Sequence, residues 1–225
     1  MHWADVVAVN LSRRGGKQII STGITPSGEF HIGHLREILT GEMISRAAID
    51  AGLDVEFIFI VDDADPLRRV YPFLADEYHE FIGHQIGNIP APDDAGKPDY
   101  ERFTNHGFSY ADYFLNPFLD ALRAIGVNPR IVKNLAAYRS GKFTECIKTA
   151  CDNADKIREI IERVSGRELP SDWFPWSPLD ANGSLEGVTV TGYEYPLVHF
   201  TDSAGNNGSS DITLGLGKLP WRIDW

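Results

Sequence analysis

The chain has 225 residues, an apolar fraction of 43% and a formal net charge of -11. That is enough apolar material for a core in one large domain or two small ones, while the acidic balance excludes a generally basic nucleic-acid coat without excluding a local basic patch. No window approaches the roughly 18 apolar residues of a membrane span, and MHWADVVAVN lacks the basic start and long apolar run of a secretory leader, so the expectation is a cytoplasmic protein with no membrane partner.

In chain order, QIIS (Gln18–Ser21) is a short β-branched run and reads as a strand. The turn TPSG follows, with Pro26 fixing φ and Gly28 free to take a left-handed conformation. A helix is expected from Gly33 to Ala51, because Leu35, Ile38, Leu39, Met43 and Ala47 recur at three- and four-residue steps, and Gly52 stops it. VEFIFIV (Val55–Val61) is apolar almost without interruption, which suits a buried parallel strand. Strand, helix and strand make a βαβ unit. In open α/β sheets ligands sit outside the carboxyl ends of the strands. Two segments fall there: the turn Thr22–His34, and Asp62 to Asp65.

The first segment suits a polyphosphate. A helix N-terminus offers unpaired N–H groups and partial positive charge, and Gly28 and Gly33 allow close approach to the backbone. His31 and His34 share one side of the first turn. Their N–H groups there would bind phosphate oxygens as charge builds at the α-phosphate of ATP. The chemistry this points to is nucleotidyl transfer, which needs positioning and electrostatics more than a protein nucleophile. At the second segment, adjacent residues at a strand end diverge, so one of Asp62 and Asp63 faces the pocket. Asp65 precedes Pro66 and reads as a helix start.

Further on, PLRRVYPFLADEYHEFIGHQIG is mixed and partly helical, and IPAPDDAGKPDYE is a loop. Helical patterns return in SYADYFLNPFLDALRAIG and in GKFTECIKTACDNADKIREIIERV. Cys146 and Cys151 lie on the latter, about 140° apart on a helix, so they point apart and form neither a disulfide framework nor a zinc site. From Glu168 onward the character is strand and turn. The organisation expected is a first half of a Rossmann-like parallel sheet over 1–89, a helical connecting segment over 90–166, and a β-rich ribbon-like insertion over 167–225.

HIGH (His31–His34) is the signature of class I aminoacyl-tRNA synthetases and their nucleotidylyltransferase relatives. The longer TGITPSGEFHIGHLRE resembles class I lysyl-tRNA synthetases, as do HWAD (His2–Asp5), DDADPLRRV (Asp62–Val70), IPAP, SYADYF, DKIREII (Asp155–Ile161) and the closing WRIDW. The resemblance runs through nearly the whole chain in the family's order. It implies ATP-dependent activation of lysine, with Mg accompanying the ATP, and transfer of lysine to tRNA(Lys). It maps Pro26, Ser27, Gly28, His31, Gly33 and His34 onto the ATP site, His31 and His34 as the catalytic pair, and Gly23 and Thr25 onto the amino-acid site. The second segment then supplies a carboxylate, Asp62 or Asp63, for the substrate ammonium.

Two departures accompany the resemblance. Many members carry zinc ligands in a loop that here reads PAPDDAGKPDYE, without Cys or His, and in an insertion matching Leu179–Lys218, which holds only His199. No zinc is expected, and strand pairing with Tyr193, Tyr195 and Phe200 is expected to hold the ribbon. There is also no KMSKS-like run, Lys156 and Lys218 each standing alone, and no match to an anticodon-binding domain. The expectation is a truncated catalytic domain, ending at Trp225 and inactive in isolation. Two alternatives are a free-standing HIGH-type nucleotidylyltransferase and a non-catalytic remnant that binds nucleotide, amino acid or tRNA.

Overall fold

The structure is a computed structural model and describes residues 2–221, 223 and 224. Arg222 and Trp225 of the closing WRIDW lie outside the described residues. Helix α1 (Trp3–Ser12) leads into strand β1 (Gln18–Ile24), helix α2 (Ile32–Asp50) and strand β2 (Val55–Val61). Short 3₁₀ turns at Asp76–Phe81 and Ile86–Asn88 precede α3 (Tyr100–His106), α4 (Tyr110–Ala124), β3 (Arg130–Lys133) and α5 (Asn134–Arg139). Then come α6 (Thr144–Asp152), α7 (Ala154–Ser165) and five short strands: β4 (Ser177–Pro178), β5 (Thr189–Glu194), β6 (Leu197–Thr201), β7 (Asn207–Asp211) and β8 (Gly217–Lys218).

The fold is α/β, with a parallel sheet in the order β1-β2-β3 and an antiparallel sheet β5-β6-β7. Register is the feature that matters. Ile24 pairs with Val61 and Val61 with Lys133, so all three parallel strands end at one level. The residues that come next, Thr25, Asp62 and Asn134, therefore emerge side by side. The amide of Asp62 donates to the Ile24 carbonyl at 2.8 Å, which carries the ladder one step further.

Helix α2 lies where the periodicity places it, but its buried face is not the expected stripe. Ile38, Gly41, Ser45 and Ala48 are buried, whereas Met43 is 40% exposed. Small residues face the sheet because the helix approaches it closely. A Cβ on Gly41 would stand 2.6 Å from Thr22 Cγ2 and 2.8 Å from the Phe57 ring. β2 is buried at Phe59 and Val61 and half-buried earlier, so the expectation of a fully covered strand holds only at its C-terminal end. Ile38, Phe59, Val61, Leu115, Phe118 and Leu122 form the core between the sheet, α2 and α4.

Three elements differ from the sequence expectations. β3 lies inside the segment expected to be helical; at four residues it is too short for alternation to reveal it. The cysteine helix is two helices, divided at Asn153, whose backbone leaves the helical region at φ -118 while its side chain donates to the Thr149 carbonyl at 2.8 Å. Asp65 starts no helix; its carboxylate accepts from Arg68 at 3.0 Å across a turn. Cys146 is exposed and Cys151 buried, so the thiols do point apart, and burial pushes the Cys151 thiol up to about 12.

The ribbon rests on α5 and α6. Val198, Ile212 and Leu219 share one core with Tyr138, Ile147, Ala150 and Trp176. Of the three aromatics expected to hold it, Phe200 is buried, Tyr193 packs on Phe174 at 5.9 Å, and Tyr195 is 46% exposed. The rest of the ribbon's order comes from aspartate-anchored turns. Asp180 accepts from the amides of Asn182 and Ser184 at 2.9 and 2.8 Å, and Asp202 from those of Ala204 and Asn206 at 2.9 and 2.8 Å. Asp93 does the same for Ala95 and Lys97 in the earlier loop, both at 2.8 Å. Such side-chain-to-backbone bonds satisfy amides that a turn leaves without strand partners. Among the described residues no group of three or more His, Cys, Asp or Glu is arranged to hold a metal ion.

Asp202→Ala should therefore lower the melting temperature, because the turn amides lose their side-chain acceptor. A metal chelator should leave the melting temperature of the unaltered protein unchanged. A chelator-induced fall in melting temperature, with stoichiometric zinc by elemental analysis, would show that metal holds these turns.

Candidate functional site

The aligned strand ends open onto a cleft of about 630 Å³, lined among others by Thr25, Asp62, Asp65, Arg68, Lys218 and Trp221. Thr25 and Asp62 stand there because they directly follow β1 and β2. Lys218 arrives from the far end of the ribbon, where β8 pairs with β4 through Ser177 and Pro178.

Lys218 is the site's unexpected member. Its ammonium donates to both oxygens of Asp62, at 2.7 and 2.8 Å, and to Asp224 Oδ2 at 3.0 Å. The side chains of Lys218, Asp62 and Asp224 are 10%, 4% and 0% exposed. Burial alone would lower the lysine pKa, but the charges of Asp62 and Asp224 and their hydrogen bonds outweigh it and hold the ammonium above its ordinary 10.5. The Tyr138 hydroxyl donates to Asp224 Oδ2 at 2.7 Å and accepts from the Leu219 amide at 3.0 Å. Asn134 Nδ2 reaches Asp62 Oδ1 at 3.5 Å and Asp224 Oδ2 at 3.4 Å. The network joins the end of β2, the start of α5 and the return of the ribbon.

Asp63 turns the other way. Its Oδ1 accepts from the Leu135 amide at 2.7 Å, in the first turn of α5. Burial raises its carboxyl to about 6, and the Leu135 hydrogen bond and the charge of Lys133 only partly offset this. Asp65 is also raised, first by burial and then by the charge of Asp62, with Arg68 and Lys218 acting against the shift.

The histidine turn lies beyond the cleft lining, at the start of α2. His31 and His34 cap that helix reciprocally: Gly33 N donates to His31 Nδ1 and His31 N to His34 Nδ1, each at 3.0 Å. Both Nδ1 atoms act as acceptors, so each neutral ring carries its proton on Nε2. The rings stack at 3.9 Å. A Cβ on Gly33 would stand 2.8 Å from His31 Cε1, so position 33 admits no side chain while the cap is closed. Burial, and then the charge of His31, holds His34 below its ordinary 6.5 and hence neutral at pH 7. α4 supports this turn from below. The Tyr110 hydroxyl donates to the Ser27 carbonyl at 2.9 Å, and Phe30 stacks on Phe118 at 4.3 Å. Gly23, Thr25, Pro26, Ser27 and Gly28 thus run continuously from the β1 ladder to the cap.

The family model for "tRNA synthetases class I (K)" matches residues 1–225. Among curated proteins, a lysine–tRNA ligase of Methanosarcina barkeri is 42% identical over 228 residues, covering 100% of this chain and 40% of that protein. One of Thermoplasma volcanium is 39% identical, covering 100% of this chain and 42% of its own length, and one of Archaeoglobus fulgidus is 38% identical, covering 100% and 43%.

The chain belongs to the class I lysyl-tRNA synthetases.

It spans about two-fifths of the length of the curated relatives it matches. In this class I lysyl-tRNA synthetase sequence, Thr25 and Asp62 of the cleft and both helix-capping histidines were legible. Lys218, Asn134, Tyr138 and Asp224 were missed. A signal did exist: a run of acids at the end of an apolar strand calls for a buried cation, and Lys218 is the lone lysine in the apolar stretch GLGKLPW.

Asp63 yields a pH-dependent prediction. Its folded-state pKa of about 6 lies above its ordinary 3.8, so between those values the folded state holds more protons than the unfolded state. Stability is then lost as pH rises through that window, up to about 3 kcal/mol, since one pKa unit is about 1.4 kcal/mol. Asn keeps an acceptor for the Leu135 amide without the buried charge. Asp63→Asn should therefore raise stability by about 1–3 kcal/mol at pH 7.5 and by about a third of that at pH 4.5. Urea unfolding at both pH values checks this; equal gains at the two would remove Asp63 as the titrating group.

Proposed function

We propose that this chain carries the nucleotide and amino-acid half of an enzyme that activates lysine with ATP and transfers it to tRNA(Lys). In the first step the lysine carboxylate oxygen attacks the α-phosphorus of ATP. The bond to the β-phosphate oxygen breaks, leaving lysyl-adenylate and pyrophosphate. In the second, a ribose hydroxyl at the tRNA end attacks the lysyl carbonyl, loses its proton, and AMP departs.

The observation that supports this most directly is the reciprocal histidine cap. Because both Nδ1 atoms are engaged, the two Nε2–H groups are the donors left for phosphate oxygens. They stand beside the partial positive charge of a 19-residue helix. Donors fixed before reaction stabilise charge that builds on the α-phosphate without reorganising. Pro26, Ser27, Gly28 and Gly33 complete the nucleotide cradle, with Mg held mainly by the phosphate oxygens and no zinc required. Gly23 and Thr25 receive the amino acid beside it. Asp62 supplies the carboxylate for its ammonium, while Asp63 docks on α5 through the Leu135 amide. We place the protein in the cytoplasm, where tRNA is charged, and no described helix is long and apolar enough to cross a membrane.

In the full-length protein, His31→Ala or His34→Ala should lower lysine-dependent ATP–pyrophosphate exchange by about 10²-fold or more, the scale for losing one oxyanion donor. Lysine affinity should change little. Exchange within a few-fold of the unaltered enzyme for both variants would refute the phosphate role.

A further inference from the structure

The amino-acid reading of the cleft leaves Lys218 without a task, although its buried ammonium is bonded to two carboxylates. Its three hydrogen bonds, to Asp62 Oδ1, Asp62 Oδ2 and Asp224 Oδ2, span 2.7 to 3.0 Å. Contact with both oxygens fixes the plane of the Asp62 carboxylate as well as its position. Lys218 in turn is held by its backbone. Gly217 pairs with Pro178, and a Cβ at Gly217 would stand 2.5 Å from Trp176 Cζ2 and 2.6 Å from the Ser177 carbonyl, so β8 is pressed onto a buried tryptophan.

Building on the proposal that Asp62 receives the ligand ammonium, we infer that Lys218 is a positioning residue for amino-acid recognition, fixing the Asp62 carboxylate at the cleft and so setting affinity for lysine. The argument rests on geometry and charge. Asp62, Asp65 and Asp224 gather near one strand end, and carboxylates this close repel each other at low dielectric. An ammonium between two of them holds both in place. The ribbon thereby acts on recognition through a single side chain 156 residues along the chain from Asp62.

An opposite role is conceivable for an ammonium in this place: an internal substitute for the ligand's own, displaced on binding. Geometry disfavours it. Withdrawing Lys218 would also take the cation from Asp224, where a ligand ammonium received by Asp62 would not replace it, and a buried carboxylate that loses its cation is costly. The two roles predict opposite signs.

The test is calorimetric titration of this chain with L-lysine and, separately, with ATP and magnesium, comparing the unaltered protein with Lys218→Met, Lys218→Gln and Lys218→Arg. Lys218→Met should weaken lysine by at least about tenfold, as expected when one partner of a buried charged pair is removed. ATP affinity should stay within about threefold, well inside one tenfold step. Lys218→Arg should restore most of the lysine affinity, because a guanidinium can pair with both carboxylate oxygens; a purely space-filling role would be met by Met as well. Lys218→Gln keeps N–H donors for the carboxylates without charge, and carries the comparison if Lys218→Met does not fold. Unchanged lysine affinity in a folded Met or Gln variant overturns the inference, and tighter binding overturns it in favour of an internal substitute. Absence of lysine binding by the unaltered protein, with ATP binding intact, instead removes the amino-acid reading on which the inference rests.

Discussion

The contact between Lys218 and Asp62 is the constraint around which the rest of the site is arranged. Charges removed from water are tolerated only when paired and hydrogen-bonded. Meeting that condition here takes three remote parts of the chain. The parallel register brings Asp62 level with Thr25 and Asn134. The short helix α5 presents Asn134 and Tyr138. The ribbon returns through β8 to deliver Lys218, with Leu219 bonded to the same tyrosine that bonds Asp224. Shifting any of the three would leave a buried charge or hydroxyl without its partner, so the network fixes how the ribbon sits on the sheet.

The histidine turn obeys a different logic at the other side of the site. Its order comes from hydrogen bonds that close on themselves at an exposed helix end, supported by α4 through Tyr110 and Phe30. The cap satisfies two helix amides and also fixes the tautomer of both rings. One set of contacts thus serves helix stability and prepares donors for an anion. Protonating His34 at Nδ1 would break its bond from the His31 amide. The lowered pKa of His34, caused by burial and then by His31, keeps it in the capping form at neutral pH.

Much of this was legible in the sequence. The βαβ unit and the carboxyl-end site follow from one β-branched run, one helical stripe and one apolar run. HIGH and its flanks carry the family. What was not legible depends on approach and pairing. The buried face of α2 is built from Gly41 and Ser45 because it lies close to the sheet, and a search for large apolar residues selects Met43 instead. β3 is too short to show alternation and gains its identity only from pairing with β2. Lys218 and Asp224 are far from Asp62 in sequence, and although the apolar stretch GLGKLPW hints at a buried lysine, nothing local names its partners. The ribbon's aspartate turns are written as Asp-x-x-Gly at Asp180 and Asp202, as is the earlier loop at Asp93, but that spelling alone does not say that the aspartates rather than the aromatics order the turns.

The most direct test of the buried pairing is a double-mutant cycle in urea unfolding, with Asp62→Asn, Lys218→Met and the double variant. If the ion pair organises the site, Lys218→Met takes one shared cation from two buried carboxylates and loses about 3–5 kcal/mol, while Asp62→Asn, which leaves Lys218 its contact with Asp224, loses less. The double variant then loses much less than the sum, giving a coupling of at least about 2 kcal/mol, within the range for residues in contact. Losses that add to within about 0.5 kcal/mol would contradict the account, because that is the behaviour of sites that do not interact.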